Sequence, residues 1–331
     1  MDNKIEEEKA LFLEQNNLKE LFPTAEKIDN NLWCELQSVG ESYDEYSGYC
    51  DGIAEKFLLE VLNSDELKNI HSARYRIKGK NSLLVKIVKK KAVISQTVSK
   101  EYEIEKYRDL NSDNYYKIMT DLIGFRILIR YREQWQVVDN WIRNKFYKGD
   151  EHYIKNFVED YQANPKKAFI AEKPKVYYRN QQDLSFYEQI GKDFFDFVKS
   201  DKGYNSIHYI INIDGKYMEI QVRTIFDEAW CECTHDIVYK NTKDELKEEL
   251  EYLSKCLAQQ TIASESIANL MYEKVNTSGV LYGSIGYMAD FLPVEKEKST
   301  NIVSDISAIE KRIKKLNIAE DNFDGNINNL I

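Results

Sequence analysis

The segment "GYNSIHYIINIDGKYMEIQVRT", Gly203 to Thr224, constrains the fold more than any other stretch of this chain. Asp214-Gly215 stands between two β-branched runs, the strongest short signal for a two-residue hairpin turn. A turn of that length fixes the register. Ile213 then faces Lys216, Ile211 faces Met218, Ile210 faces Glu219, His208 faces Gln221, and Ser206 faces Arg223. Side chains alternate along a strand, so one face carries Ile207, Tyr209, Ile211, Met218, Ile220 and Val222 and belongs to a core. The other carries Ser206, His208, Glu219, Gln221 and Arg223. Water-facing strands favour Lys, Thr and Glu without pattern. Here a hydroxyl, an imidazole, a carboxylate, an amide and a guanidinium share one small patch. The hairpin alone leaves a solvated face and a functional site equally open.

Helical spacing frames the hairpin on both sides. "NLWCELQ" and "GIAEKFLLEVLNSDELKNI" place apolar residues three and four apart, which makes residues 1–70 a helical scaffold. "SKEYEIEKYRDL", "QWQVVDNWIRNKFY" and "FDEAWCECTHDIVYKN" repeat the pattern, and residues 243–275 predict a long amphipathic helix. "DLIGFRILIRY" is apolar, β-branched and short enough for a central strand. "PKVYYRN" reads as an edge strand, because Pro174 stands at its start. In the tail, Ile302, Ile306, Ile309, Ile313 and Leu316 form one apolar stripe suited to docking on the domain. The 331 residues, 43% hydrophobic and 31% charged, suit one large domain or two smaller ones. No apolar run approaches a membrane span and the start is acidic, so the expected location is cytoplasmic, away from any membrane. Five cysteines, an odd number, make no disulfide framework. A net charge of −10 argues against broad, non-specific nucleic-acid binding.

Two further features carry chemistry. "RYRIKGKNSLLVKIVKKK", Arg74 to Lys91, holds eight basic residues and no acid. Arg76 and Lys78 alternate as on a strand. Ser82 and Lys86 share a helix face, with Asn81 or Ser82 as the cap. A helix N-terminus beside Arg and Lys is a ready anion site, and a triphosphate is the obvious ligand. Downstream, Asp121 opens the apolar strand and Arg126 follows inside it. A carboxylate at a strand's lip, with Glu219 on a neighbouring strand, is what a Mg²⁺–phosphate site needs, since Mg²⁺ takes few protein carboxylates and fills its shell with phosphate and water.

Five ordered motifs then carry a resemblance: "R-I-K-x-x-x-S-x-x-x-K" (Arg76, Lys78, Ser82, Lys86), "D-L-I-G-F-R" (Asp121, Arg126), "G-Y-N-S-I-H" (Gly203 to His208), "E-I-Q-V-R-T" (Glu219 to Thr224) and "W-x-E-x-x-H-x-x-x-Y-K" (Trp230, Glu232, His235, Tyr239, Lys240). Together, over about Arg74 to Lys240, they resemble the synthetase domain of the RelA/SpoT family of alarmone synthetases. The resemblance implies an α+β fold, a nucleotidyltransferase-like mixed sheet flanked by helices, with helical extensions at both ends. The organisation is then 1–70, N-terminal extension; 71–242, synthetase domain; 243–331, C-terminal extension. It implies Mg²⁺-dependent, or Mn²⁺-dependent, transfer of pyrophosphate from ATP to the 3′-hydroxyl of GDP or GTP. By carry-over, Arg76 and Arg126 sandwich the adenine, and Lys78, Ser82 and Lys86 hold the ATP phosphates. Asp121 and Glu219 bind the metal, with Glu219 also the proton acceptor. Tyr204 stacks on the acceptor base, and Asn205, His208, Gln221 and Arg223 complete the acceptor site.

The loop before the hairpin departs from the family. Asp201-Lys202 and Asn205 replace the usual Pro-Asn before Gly-Tyr and the Arg or Gln after it. This loop helps choose the acceptor, so a second reading is a toxin that pyrophosphorylates the 3′ end of tRNA, with Lys202 and Lys240 as contacts and an antitoxin as partner. A third is an inactive nucleotide-binding regulator, against which the intact Asp121, Glu219, Arg76 and Lys86 speak. The hydrolase domain and regulatory modules of long members have no counterpart, which implies a small synthetase-only member. The helical extensions suit a homo-oligomer. Cys231 and Cys233 read as helix packing rather than a metal site, and His235 as support for the active-site wall. Trp33, Trp135, Trp141 and Trp230 read as core or interface.

Overall fold

The structure, a computed structural model, describes residues 2–19, 21–24, 28–96, 106–146, 168–191, 193–200, 203–213, 215–237 and 244–277. These fall into two compact units, one of residues up to Ile129 plus Trp135–Arg223, the other of Arg130–Gln134 plus the residues from Thr224. The expectations on Lys202, Tyr239, Lys240 and the stripe Ile302–Leu316 lie outside the described residues, as does the side chain of His235.

The first unit opens with helices α1 (Asp2–Gln15) and α2 (Asn30–Leu62). Asp29 caps α2, its carboxylate accepting from the Asn31 amide at 3.2 Å. Strand β1 (Ser72–Ile77) and helix α3 (Lys80–Gln96) come next, then the short α4 (Tyr115–Ile118), β2 (Ile123–Ile129) and α5 (Trp135–Phe146). Strands β3 (Phe169–Ile170) and β4 (Lys175–Tyr178), helix α6 (Gln181–Gly191), and strands β5 (Asp196–Lys199), β6 (Ser206–Ile213) and β7 (Lys216–Thr224) complete it. The strands form one sheet in the order β1-β2-β7-β6-β4-β5, with β3 also paired to β6. The sheet is mixed: β4 runs parallel to β5, while the β1–β2, β6–β7, β4–β6 and β3–β6 pairs are antiparallel. The chain is therefore an α+β protein with a mixed sheet flanked by helices.

The hairpin register is the one the turn dictates. Ile213 pairs with Lys216, Ile211 with Met218, Ile210 with Glu219 and His208 with Gln221. Gly215 takes φ 79°, the left-handed conformation of a tight turn, and its amide donates to Asn212 Oδ1 at 3.1 Å. All six apolar-face residues of the hairpin are buried in the main core with Phe125, Ile127, Trp135 and Trp141. Helix α2 enters that core through Cys50, Ala54, Phe57 and Val61. Its first half packs instead in a second cluster with α1 and α3, through Trp33, Leu36, Val39 and Tyr43. Beneath the sheet Trp135 Nε1 donates to the Tyr209 hydroxyl, which donates to Asp139, at 3.0 and 2.8 Å. Burial and the Asp139 charge raise the Tyr209 hydroxyl well above its usual value, so it stays a neutral donor.

Three local expectations need correction. Strand β4 is interior, not an edge, because β5 adds in parallel outside it. Pro174 is compatible with this since it precedes the strand, where its carbonyl accepts from Asp196 N at 2.9 Å. Neither Asn81 nor Ser82 caps α3, which starts at Lys80; the Asn81 side chain bonds Asn16 instead, at 2.6 Å. The helix expected over Ser99–Leu110 appears as a turn at 106–109, with 97–105 outside the described residues.

The second unit is helical. Helix α7 (Ile225–Ile237) packs on α8 (Asp244–Thr277), which runs unbroken. Trp230 Nε1 donates to the Ser254 carbonyl at 3.0 Å. The short segment Arg130–Gln134 docks here: Arg132 bonds the fully buried Glu265 at 3.0 Å and Tyr131 stacks on Tyr272. Cys231 is buried, whereas Cys233 is exposed rather than packed. Among the described residues no helix is long and apolar enough to cross a membrane.

Candidate active site

The basic run divides by task. Lys80 reaches back to Asp44 and Lys91 to Glu35, both on α2, so part of the run fastens α3 to its neighbour. Lys78 and Lys86 turn the other way. Both ammonium groups donate to the same oxygen, Asp121 Oδ2, at 3.0 and 2.7 Å. The backbone fixes this geometry. Lys78 follows the last residue of β1; its amide donates to the Leu122 carbonyl at 2.9 Å, and its carbonyl accepts from the Tyr43 hydroxyl at 2.6 Å. Leu83, Ile87 and Val88 bury the adjoining face of α3. Asp121 stands two residues before β2. Its second oxygen, Oδ1, is buried and has no hydrogen-bond partner among the described residues. Burial raises the Asp121 carboxyl, but the Lys86 and Lys78 charges outweigh burial and hold it below the usual carboxylate range.

The polar face of the hairpin closes into a ring of five side chains. Glu219 Oε1 meets His208 Nδ1 at 3.1 Å, and Glu219 Oε2 accepts from Gln221 Nε2 at 2.7 Å. His208 Nε2 meets the Tyr204 hydroxyl at 2.7 Å. Arg223 donates to that hydroxyl at 3.0 Å and also to Gln221 Oε1, which closes the ring. When Nδ1 carries the His208 proton and donates to Glu219, Nε2 accepts from Tyr204. Burial raises the Glu219 carboxyl too; the bonds to His208 and Gln221 outweigh it, against the charge of Asp121, and the net shift is downward. That opposing influence means the two carboxylates sense each other.

The remaining expected residues occupy defined places. Arg74 pairs with Arg126 and Arg76 with Gly124, so Arg76 and Arg126 project from one face of the β1–β2 ladder. Arg76 is exposed and Arg126 half-buried. Ser82 is exposed in the first turn of α3, while Asn205 is buried at the entry to β6.

A cavity of about 190 Å³ lies beside Glu219 and His208. Lys86, Lys90, Lys106, Lys173 and Lys175 line it, together with Glu172 and Tyr177. Lys90, Lys106, Lys173, Lys175 and Tyr177 have no role legible in the sequence motifs. Lys90 carried a signal, since it stands one helical turn beyond Lys86. The others come from the loop before α4 and the β3–β4 arm, which only the folded sheet brings here. Tyr177 packs against both His208 and Tyr204, with ring centroids 4.7 and 5.5 Å away.

The family model described as the region found in RelA / SpoT proteins matches residues 75–244, just over half of the chain. The chain belongs to the RelA/SpoT family. No curated protein sequence matches it. Among solved structures, this RelA/SpoT-family chain is similar to small alarmone synthetase 1 of Bacillus subtilis bound to its product pppGpp, at 14% identity and a TM-score of 0.41, over 72% of this chain and 98% of that one. It is also similar to a GTP pyrophosphokinase family protein of Streptococcus pneumoniae, at 13% identity and 0.44, over 73% and 98%. The Bacillus subtilis synthetase bound to AMPCPP matches at 16% and 0.35, over 70% and 99%.

Among the described residues no group of three or more His, Cys, Asp or Glu side chains could hold a metal. A two-carboxylate site still suits Mg²⁺, which keeps water and phosphate oxygens in its shell. Asp121 Oδ1, without a hydrogen-bond partner among the described residues, fits that role.

Proposed function

We propose that the chain is a pyrophosphokinase that moves the β,γ-pyrophosphoryl group of ATP to the 3′-hydroxyl of GDP or GTP and releases AMP. The observation that carries this reading is Asp121, fixed by Lys78 and Lys86 through one oxygen, with the other unpartnered among the described residues, within electrostatic reach of Glu219. Membership of the family supports it.

Such a transfer needs positioning and charge neutralisation more than covalent help from the protein. Lys78 and Lys86 have flexible stems and pass from Asp121 to the incoming phosphates, with Ser82 at the helix start. Arg76 and Arg126 hold the adenine. Asp121 and Glu219 would hold Mg²⁺, or Mn²⁺, which when bound neutralises charge on the transferred phosphates. Tyr204 stacks on the acceptor base, with Asn205, His208, Gln221 and Arg223 around the ribose and phosphates. The acceptor's 3′-oxygen attacks the β-phosphorus, and the bond from that phosphorus to the oxygen bridging to the α-phosphorus breaks. AMP leaves with that oxygen and its electron pair. Glu219 is ionised and takes the 3′-proton as the new bond forms, when the hydroxyl has become acidic.

The test is incubation with Mg²⁺ and γ-labelled ATP, with GDP, GTP, ADP and deacylated tRNA in separate tubes. Label on the guanine nucleotides is expected. Label on tRNA alone replaces the acceptor and makes the enzyme a translation toxin; label on nothing leaves a nucleotide-binding regulator.

A further inference from the structure

We infer that helix α2 takes part in the phosphate grip: Gly40, Tyr43 and Asp44 cradle the β1–α3 connection, and Tyr43 is the positioning residue for Lys78. The inference rests on the pyrophosphokinase reading and deepens it, because it gives the helical N-terminal extension a share in holding the donor's phosphates. The family match begins at residue 75, so none of the three residues lies within it.

Geometry is the first support. The three residues stand three and four apart and so share one face of α2. That face meets both ends of the connection Lys78-Gly79-Lys80. The Tyr43 hydroxyl donates to the Lys78 carbonyl at 2.6 Å, and Asp44 Oδ2 accepts from Lys80 Nζ, also at 2.6 Å. Gly40 leaves room for the Lys80 stem, where a Cβ would stand 2.9 Å from Cε. The Lys78 amide is held as well, by the Leu122 carbonyl at 2.9 Å, and Leu122 directly follows Asp121. Both backbone groups of Lys78 are therefore anchored, one to α2 and one to the segment that carries its carboxylate partner. A lysine stem is long and flexible, so the place of its backbone decides which groups its ammonium can reach.

The choice of side chain is the second. The Tyr43 ring is buried in the cluster with Trp33, Leu36 and Leu83 and meets the Tyr115 ring edge-on, centroids 6.1 Å apart. A phenylalanine ring would fill that place equally. A buried hydroxyl costs stability unless it is bonded. This one bonds the carbonyl of the residue whose ammonium holds Asp121. Burial, then the neighbouring Cys50, Tyr115 and Asp121 groups, raise the Tyr43 hydroxyl above its usual value, so it stays a protonated donor.

The experiment titrates adenosine and a non-hydrolysable ATP analogue, each with Mg²⁺, into the native protein and into the Tyr43→Phe, Lys78→Ala and Tyr43→Phe/Lys78→Ala variants. The native protein binds the analogue at least about tenfold more tightly than adenosine, as expected for hydrogen bonds between charged groups. Tyr43→Phe weakens the analogue by about fivefold, the size expected for one hydrogen bond, and leaves adenosine unchanged. In the Lys78→Ala background the same substitution has no further effect, because Tyr43 acts through Lys78. An analogue affinity that Tyr43→Phe leaves intact overturns the inference while the pyrophosphokinase reading stands. An equal loss for adenosine, or losses that add in the double variant, overturns it too, since either makes Tyr43 a packing residue. A native protein that binds analogue and adenosine alike has no phosphate grip, and the inference and the reading fall together. Binding is read without turnover, so the label experiment tests the transfer separately.

Discussion

Asp121 and Glu219 are two carboxylates held by unlike means. Asp121 is gripped through a single oxygen by two ammonium groups, and its other oxygen has no partner among the described residues. Glu219 has both oxygens engaged, by His208 and Gln221, inside a ring that Tyr204 and Arg223 complete. Long lysine stems exchange partners easily, whereas a closed ring of short bonds on two paired strands holds its shape. On the proposed reading, the first arrangement hands its cations to an arriving polyanion. On the same reading, the second keeps an acceptor and a proton acceptor in fixed relation.

The sharpest way to break this contrast is Glu219→Gln. Turnover is expected to fall by about a hundredfold or more, with binding of the ATP analogue retained. Unchanged turnover would remove Glu219 from the chemistry. Tyr204→Ala opens the ring from the other end. Loss of base stacking should raise the acceptor KM roughly tenfold and leave the ATP KM within about twofold; equal rises would move Tyr204 out of the acceptor site.

Acid titration separates the two carboxylates next. Both are held below the usual range, so the stability they contribute is fully present above the ordinary carboxylate pKa of about 4 and is lost as pH falls through their lower folded values. Lys86→Ala removes the stronger of the two cations on Asp121 and lets burial raise that carboxyl. The acid-unfolding midpoint, followed by near-ultraviolet circular dichroism, should then move to higher pH. A midpoint unmoved by Lys86→Ala would show that Lys78 alone suffices. The smallest effect belongs to Lys80→Ala. Its pair with Asp44 is exposed on both sides, so urea unfolding should change by no more than about 0.5 kcal/mol.

The legible part of the molecule was the part governed by local rules. Turn chemistry at Asp214-Gly215 fixed which hairpin residues share a face, and the site's polar ring follows from that register. The grip of Lys78 and Lys86 on Asp121 needed tertiary structure, although each residue stood in a recognisable pattern. The basic run looked uniform in sequence, yet α2 supplies acids to Lys80 and Lys91 and none to Lys78 or Lys86. Strand β4 was read as an edge because Pro174 was the only local cue, and the parallel addition of β5 depends on a crossover no short window contains. Lys106, Lys173 and Lys175 stayed invisible for the same reason. Lys106 is far in sequence from Lys173 and Lys175, and the pairing of β3 and β4 with β6 brings the latter two beside Glu219.

Helix α2 has a consequence for how this protein can be cut and shared. Its second half fills the core under the sheet with Phe57 and Cys50, and its first half carries α1 and the back of α3. Burial, partly countered by Lys216, pushes the Cys50 thiol up to about 12, so the group stays inert and serves as packing. A fragment starting at residue 71 would keep every motif and lose the helix that closes its apolar sheet. Modular exchange of the motif-bearing segment between proteins is therefore blocked unless this helix travels with it.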